Sequence, residues 1–305
     1  MKGGSKVTFL LGAGRSGTTL LYKLLSAHPD VAYLSNYHNR WPELSSTALL
    51  QRLLNLFPDV KRQSWFKKDG GAYFNEQRKW FQTMIPTPSE GESVYRACGL
   101  TIRPNVDERM VRCMNKKFER IRRLVGAKVL LTKRTANNRR IPALMNIFPA
   151  AKYIHLIRDG RAVAYSLPRV AWWDDHVLFW AGKSPRQMVM EGFDPLVLAA
   201  RNWVEEMASL ESGLALIEPE KVLEVNYKQL LQNPLVEIER MIEFMGAGSP
   251  LPGDFRELVK SLQLRPRSEP WIESWTDEEK QKVNQIQAAT LHRWGCLDTV
   301  CTAHS

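Results

Sequence analysis

Cysteine is scarce in this 305-residue chain: there are four, at positions 98, 113, 296 and 301. None forms a Cys-x-x-Cys pair and none has histidines at zinc spacing, which excludes the common structural zinc frameworks. Free thiols are the expected state, with a Cys296–Cys301 disulfide as the alternative. No run of about 18 apolar residues exists, which excludes a bilayer-spanning helix. Nothing resembles a signal peptide either: Met1–Lys6 is short and basic, and the apolar stretch after it is brief. The expected location is the cytoplasm. Repeats, low-complexity tracts and clear linkers are also missing, so residues 1–305 are read as a single domain.

What is present is an ordinary globular composition, 44% hydrophobic and 25% charged, with a formal net charge of +11. That charge is concentrated. From Arg103 to Arg140 there are thirteen Lys or Arg against three acids, whereas residues 141–305 are net acidic. A basic N-terminal half suggests an anionic ligand or surface. For the segment around Arg120, Arg122 and Arg123, a solvated helix face is the plainer reading.

Five short apolar segments read as strands: Val7–Leu11, Val31–Leu34, Lys128–Leu131, Tyr153–Ile157 and Val222–Val225. Helical patterns lie between most of them, at Thr18–Ala27, Val106–Val125, Ile141–Ile147, Arg161–Leu167, Pro195–Leu216 and Lys228–Met245. Thr276 and Glu279 form a capping box for a last helix reaching His292. This alternation predicts an α/β fold: a doubly wound, mainly parallel sheet with helices on both faces. Two stretches break the alternation, at about 36–93 and 168–194. Both are rich in aromatic residues, and both are expected to be helical insertions forming the walls or lid of an acceptor site.

The most informative stretch is Phe9–Leu21, FLLGAGRSGTTLL. An apolar strand enters a turn containing Gly12, Gly14 and Gly17, and an apolar helix follows. Glycines let backbone approach a ligand, and a helix N-terminus offers unpaired N–H groups to an anion. The Gly12-x-x-x-x-Gly17 spacing fits the first half of a Walker A loop, but Thr18 stands where the nucleoside-triphosphate lysine should be. Arg15 is the loop's cation. A purely structural βα turn needs neither that cation nor the hydroxyls of Ser16, Thr18 and Thr19.

A second segment, Ala151–Arg169, reads AKYIHLIRDGRAVAYSLPR. A strand delivers Arg158 at its end, and Ser166 follows on the next helix. Arginine grips phosphate with two parallel bonds and serine adds a hydroxyl. Alone, Arg-Asp-Gly is weak. The pairing of Arg-Ser-Gly-Thr-Thr with a later Phe-Pro-x-Ala-Lys-x-Ile-x-x-x-Arg-Asp-Gly-Arg closely resembles the sulfotransferase family, whose P-loop-like fold uses 3′-phosphoadenylyl sulfate (PAPS) as donor. The resemblance implies that Arg15, Ser16, Gly17, Thr18 and Thr19 face the 5′-phosphosulfate, that Arg158 and Ser166 hold the 3′-phosphate, and that Tyr227 in Val225–Leu230 lies near the nucleotide. Leu131–Asn137 is similar to the family's Lys-Thr-Pro-Asn segment, with Ala136 in place of proline. Gly14 also replaces a frequent proline. A lysine usual near the carboxyl-terminal tryptophan is missing around Trp271, with Arg265 or Arg267 as stand-ins, and Arg169 is displaced by about one residue from a further phosphate contact.

The implied activity is transfer of a sulfuryl group to a hydroxyl or amine of a small-molecule, glycan or lipid acceptor. No metal, nucleic-acid partner or membrane span is expected, although peripheral membrane contact is compatible with the composition. Arg15 would stabilise the charge that develops on the leaving phosphate. The proton acceptor is less evident. In the tyrosylprotein branch a glutamate follows the His-Pro-Asp-Val segment; here His28–Val31 is followed by Ser35 and Asn36, which cannot serve. His38 is the first candidate, Glu43 the second, with Asp174, Asp175 and His176 behind them. Two rival functions stay open: a P-loop kinase acting on a small molecule, requiring Mg²⁺, and a non-catalytic binder of polyanions.

Overall fold

The computed structural model describes residues 6–66, 84–101, 105–266 and 269–296. Five strands form one parallel sheet: β1 (Val7–Leu11), β2 (Val31–Tyr33), β3 (Val129–Lys133), β4 (Lys152–Ile157) and β5 (Val222–Asn226), in the order β2-β3-β1-β4-β5. Strand β1 is central. It pairs with β3 on one side (Phe9 opposite Thr132) and with β4 on the other (Phe9 opposite Tyr153). The expected strands are all present, within two residues at each end.

The helices are α1 (Thr18–Ser26), α2 (Asn36–Arg40), α3 (Leu49–Leu54), α4 (Pro58–Trp65), α5 (Glu92–Ala97), α6 (Glu108–Val125), α7 (Ile141–Ile147) and α8 (Gly160–Ser166), followed by α9 (Pro185–Met190), α10 (Pro195–Leu214), α11 (Tyr227–Gln232), α12 (Pro234–Met245), α13 (Gly253–Ser261), α14 (Pro270–Ser274) and α15 (Asp277–Arg293). Alternation along β1 divides the interior in two. Phe9 and Leu11 join a core with the buried faces of α6, α7, α8, α10 and α15, while Leu10 faces α1, α12 and α13.

Local chemistry explains most boundaries. Helix α6 starts where the Asp107 side chain accepts from the Met110 N–H and stops at Gly126, whose φ of 82° is the left-handed cap. Its buried residues are Met110, Met114, Phe118, Ile121 and Val125, the stripe read from the sequence. The single helix expected over Lys228–Met245 is instead two, broken at Asn233. Pro234 has no N–H and its ring collides with a preceding turn, so it starts a new helix.

The expectation of free thiols also fails. Cys98 and Cys113 form a disulfide that ties the end of α5 to α6, with Cα atoms 5.5 Å apart. Sequence spacing carries no sign of it, because packing of α5 on α6 is what brings the thiols together. Cys296 is a buried thiol, and Cys301 lies outside the described residues. Among the described residues no helix is long and apolar enough to cross a membrane.

The joint between α8 and α10 is tight. A Cβ on Gly160 would lie 2.4 Å from Cε3 of the fully buried Trp203. Gly160→Ala is therefore expected to lower the unfolding free energy by about 1–3 kcal/mol through overpacking. Gly253→Ala, where a Cβ meets nothing within 4 Å, should stay within about 0.5 kcal/mol of the parent. Urea denaturation of both variants checks the contrast, and equal effects would contradict it.

Candidate active site

The site forms at the carboxyl ends of β1, β3 and β4, where open parallel sheets hold their ligands. At the end of β1 the chain must pass close to β4. A Cβ on Gly12 would lie 2.8 Å from the Leu156 carbonyl oxygen, which only glycine avoids. The Asn138 side chain pins this point: it accepts from Gly12 N at 3.4 Å and donates to Gly12 O at 3.0 Å. The same Asn138 amide donates to Glu206 Oε2 (2.8 Å), and Arg139 Nη1 pairs with Glu206 Oε1 (2.7 Å). Glu206 is almost fully buried, and burial pushes its carboxyl above the ordinary range.

The turn beyond Gly12 is held in unusual backbone geometry. Arg15 has φ 66°, a left-handed conformation that costs a non-glycine residue of order 1–3 kcal/mol and clusters at functional sites. Gly17, at φ 91°, is the N-cap of α1 and supplies no side-chain cap. The first N–H groups of α1 are thus left for a ligand, on the positive end of the helix dipole. Gly17 also packs under Tyr227, whose Cε2 would be 2.5 Å from a Cβ there.

The two phosphate-type motifs meet directly. Arg15 Nε donates to Ser166 Oγ at 3.0 Å, and Arg158 Nη1 donates to the Arg15 carbonyl at 3.1 Å. Arg158 also lies over the Tyr227 ring, 4.8 Å from its centroid. Neither arginine makes an ion pair among the described residues, and Arg158 Nε is buried without a hydrogen-bond partner. Burial, and then the neighbouring Arg158 charge, pull the Arg15 guanidinium below its ordinary pKa. Two close cations without a direct ion pair, with Glu269 acting on Arg158 only at longer range, favour an anion here.

A cavity of about 700 Å³ opens over these groups, in the range of small-molecule sites. Arg15, Gly17, Thr18, Thr19, Arg158 and Tyr227 line it. Ser16 does not: it is buried behind the loop. Ser166 reaches the site through its bond to Arg15. The 168–194 insertion contributes Trp172, Trp173 and His176 to the wall, and the 36–93 insertion contributes Glu90. Arg169 instead folds back on the ring of its own helix neighbour Tyr165. Arg265 does not line the cavity, and Arg267 lies outside the described residues.

Several lining residues were not singled out from sequence. Lys133 is buried at the end of β3, its Nζ 2.5 Å from Glu90 Oε1 and 3.4 Å from Thr19 Oγ1. Arg134 approaches the other Glu90 oxygen at 3.5 Å. The position of Lys133 in the Leu131–Asn137 segment was the available signal. Glu90 carried none, because it reaches the site only through tertiary pairing: Ser35 and Pro88 form an antiparallel bridge, and Ser89 N donates to Leu34 O.

Both leading sequence candidates for the proton acceptor lie elsewhere. His38 is buried and forms a capping box with Ser35, its Nδ1 3.0 Å from Ser35 N. Burial holds its pKa down at about 4. Glu43 is exposed and pairs with Lys117 at 2.6 Å. Neither lines the cavity. A histidine three residues into a short helix satisfies the orphan N–H at its start, and that local demand turns the ring away from any ligand.

The chain matches the profile of the Sulfotransferase family over residues 8–249 and belongs to that family. It is 26% identical over 121 residues to an omega-hydroxy-beta-dihydromenaquinone-9 sulfotransferase of Mycobacterium bovis, a match covering 40% of this chain and 29% of that protein. It is 25% identical over 243 residues to protein-tyrosine sulfotransferase A of Caenorhabditis elegans, covering 79% of this chain and 50% of the relative. The matches thus span half or less of these relatives. The fold is similar to that of sulfotransferase STF9 from Mycobacterium avium, with a TM-score of 0.52 at 17% identity over 95% of this chain and 76% of that one.

The buried histidines carry a pH signature. Burial lowers His155 to about 3, and both ring nitrogens lack partners. The unfolded chain takes up this proton near the ordinary value of about 6.5, while the folded protein refuses it until about 3. Stability from this residue is therefore complete above that ordinary value and falls as pH drops through the window. Between pH 7 and pH 5, the parent should lose unfolding free energy faster than His155→Gln, by up to about 1.4 kcal/mol per pH unit. Parallel urea-unfolding profiles for the two proteins would contradict this.

Proposed function

We propose that this chain moves a sulfuryl group from 3′-phosphoadenylyl sulfate to a hydroxyl on an acceptor. The observation that carries the reading is the meeting of Arg15, Ser166 and Arg158 at one cavity, with no direct ion pair to either arginine among the described residues. A donor with two separate phosphate groups answers both cations at once. The α1 N-terminus and the Thr18 and Thr19 hydroxyls would face the 5′-phosphosulfate. Arg158 would face the 3′-phosphate, beside Tyr227.

In the reaction, the acceptor oxygen bonds to sulfur as the bond from sulfur to the bridging phosphate oxygen breaks. The departing electron pair stays on the 5′-phosphate, where Arg15, Lys133 and the α1 N–H groups would stabilise it. The acceptor's proton needs a base. Four titratable acceptors line the cavity: Glu90, His176, Glu206 and Glu269. Glu206 has both oxygens engaged by Asn138 and Arg139, and Glu269 lies toward Arg158 and Lys228. His176 sits within the Arg139 field, and burial followed by that charge lowers its pKa. Glu90 also holds two cations, Lys133 and Arg134, but its side chain stays partly open to solvent and adjoins the loop through Lys133, so we assign it the proton.

Acceptors with an apolar body suit the wall built by Trp172, Trp173, Leu167 and Leu231. Hydroxylated lipids, small molecules and glycans fit this description, and one relative is named for a menaquinone acceptor.

The test is transfer of label from ³⁵S-labelled donor to a panel of hydroxylated lipids, glycans and phenols, in EDTA. Transfer should persist without metal, and Arg15→Ala should lower it by about 10²–10³. Phosphoryl transfer from ATP that depends on Mg²⁺, with no label from the phosphosulfate, would favour the kinase reading instead. Glu90→Gln should lower turnover by about 10²–10⁴ with donor affinity unchanged. Full turnover in that variant would remove Glu90 from the role.

A further inference from the structure

Helix α3 turns more leucine to solvent than to the core. In Leu49–Leu54, Gln51 and Leu54 are buried, whereas Leu49, Leu50 and Leu53 are exposed. Gln51 has a clear task at the outer edge of the sheet. Its Nε2 donates to the Tyr33 carbonyl at 2.8 Å and its Oε1 accepts from the Tyr33 N–H at 3.3 Å. That pair closes the open edge of β2 against another strand. It accounts for a glutamine pointing inward but not for leucines pointing outward.

The outward apolar character continues past the helix. Leu53 is 55% exposed, Leu56 71% and Phe57 52%, and Trp41 and Leu44 precede them on the same insertion. Single exposed leucines are ordinary; a succession of them on one segment marks a contact surface.

The exposed charge of this segment is mainly basic, although Asp254 and Glu257 of α13 border its Leu56–Arg62 end. Arg40, Arg52 and Arg62 are exposed within it. The two acids there are already answered, Glu43 by Lys117 at 2.6 Å and Asp59 by Arg62 at 3.6 Å. Lys117 also donates to the Pro42 carbonyl at 2.9 Å, which joins the segment to α6. On α6, Lys116 and Arg120 are exposed and make no ion pair among the described residues. Of the cations counted between Arg103 and Arg140, Lys117 is tied to this segment, and Lys116 and Arg120 flank it on α6.

We propose that α3 and the segment from Trp41 to Val60, with the exposed cations of α6, form a docking face for an anionic lipid surface. The large apolar side chains would enter the boundary between headgroups and acyl chains, and the arginines and lysines would lie at phosphate level. A second copy of this chain fits less well: an isologous contact would set one cationic rim against another. A dissolved polyanion would use the cations and leave the leucines in water. The inference is independent of the reading of the cavity.

The test is co-sedimentation of the full chain with phosphatidylcholine vesicles, with and without phosphatidylglycerol. Binding should require the anionic lipid and weaken as salt is raised. Leu53→Ser with Leu56→Ser should weaken it roughly tenfold or more. Arg52→Glu with Lys116→Glu should weaken it as well, and both pairs should keep the parent's nucleotide affinity, which shows that the variants are folded. Absence of binding to anionic vesicles, or unchanged binding in both variants, would overturn the proposal. So would self-association in light scattering that the double serine variant abolishes, since a second copy would then occupy the face.

Discussion

Two arginines without a direct ion pair, drawn together at the ends of neighbouring strands, are the constraint on which the rest of the site depends. Strands β1 and β4 pair directly, so the turn after β1 and the helix after β4 leave the sheet side by side. That adjacency puts Arg15 against Ser166 and Arg158 against the Arg15 carbonyl, although the two motifs are far apart in the chain. Burial and, after it, the neighbouring Arg158 charge disfavour the charged Arg15 guanidinium. A ligand that binds only the folded state and neutralises both cations removes that penalty and stabilises the fold by mass action.

The penalty is tolerable because the surrounding frame is rigid. Asn138 bonds both backbone groups of Gly12 and then Glu206, which holds Arg139. A buried carboxylate without such partners would be costly; here each oxygen is answered, and the network fixes the start of the loop relative to α10. The floor of the cavity therefore comes from strand ends and helix starts. Its walls come in part from the two insertions, which supply Glu90, Trp172, Trp173 and His176.

The fold was largely legible from the chain, for local reasons. Every strand is a short apolar run flanked by turn residues, and the buried stripe of α6 repeats at helical spacing between an Asp cap and a Gly stop. The phosphate-type loop was legible too, because glycines, a cation and hydroxyls in one turn have few other uses. What escaped depended on tertiary placement. Glu90 reaches the cavity by pairing with the β2 exit, the Cys98–Cys113 link needs α5 to lie on α6, and His38 is claimed by a helix cap. The inward turn of Gln51 in α3 was hidden as well, since the edge of β2 that it closes is defined only once the sheet exists.

The most direct measurement of the central claim is calorimetric titration with adenosine 3′,5′-bisphosphate, adenosine 3′-monophosphate and adenosine 5′-monophosphate. If the paired arginines divide one nucleotide between them, Arg158→Ala should weaken the two 3′-phosphorylated ligands and leave the 5′-monophosphate nearly unchanged, and Arg15→Ala should weaken the bisphosphate and the 5′-monophosphate and leave the 3′-monophosphate nearly unchanged. Equal losses for all three ligands in both variants, or no affinity of the parent for the bisphosphate, would contradict the account.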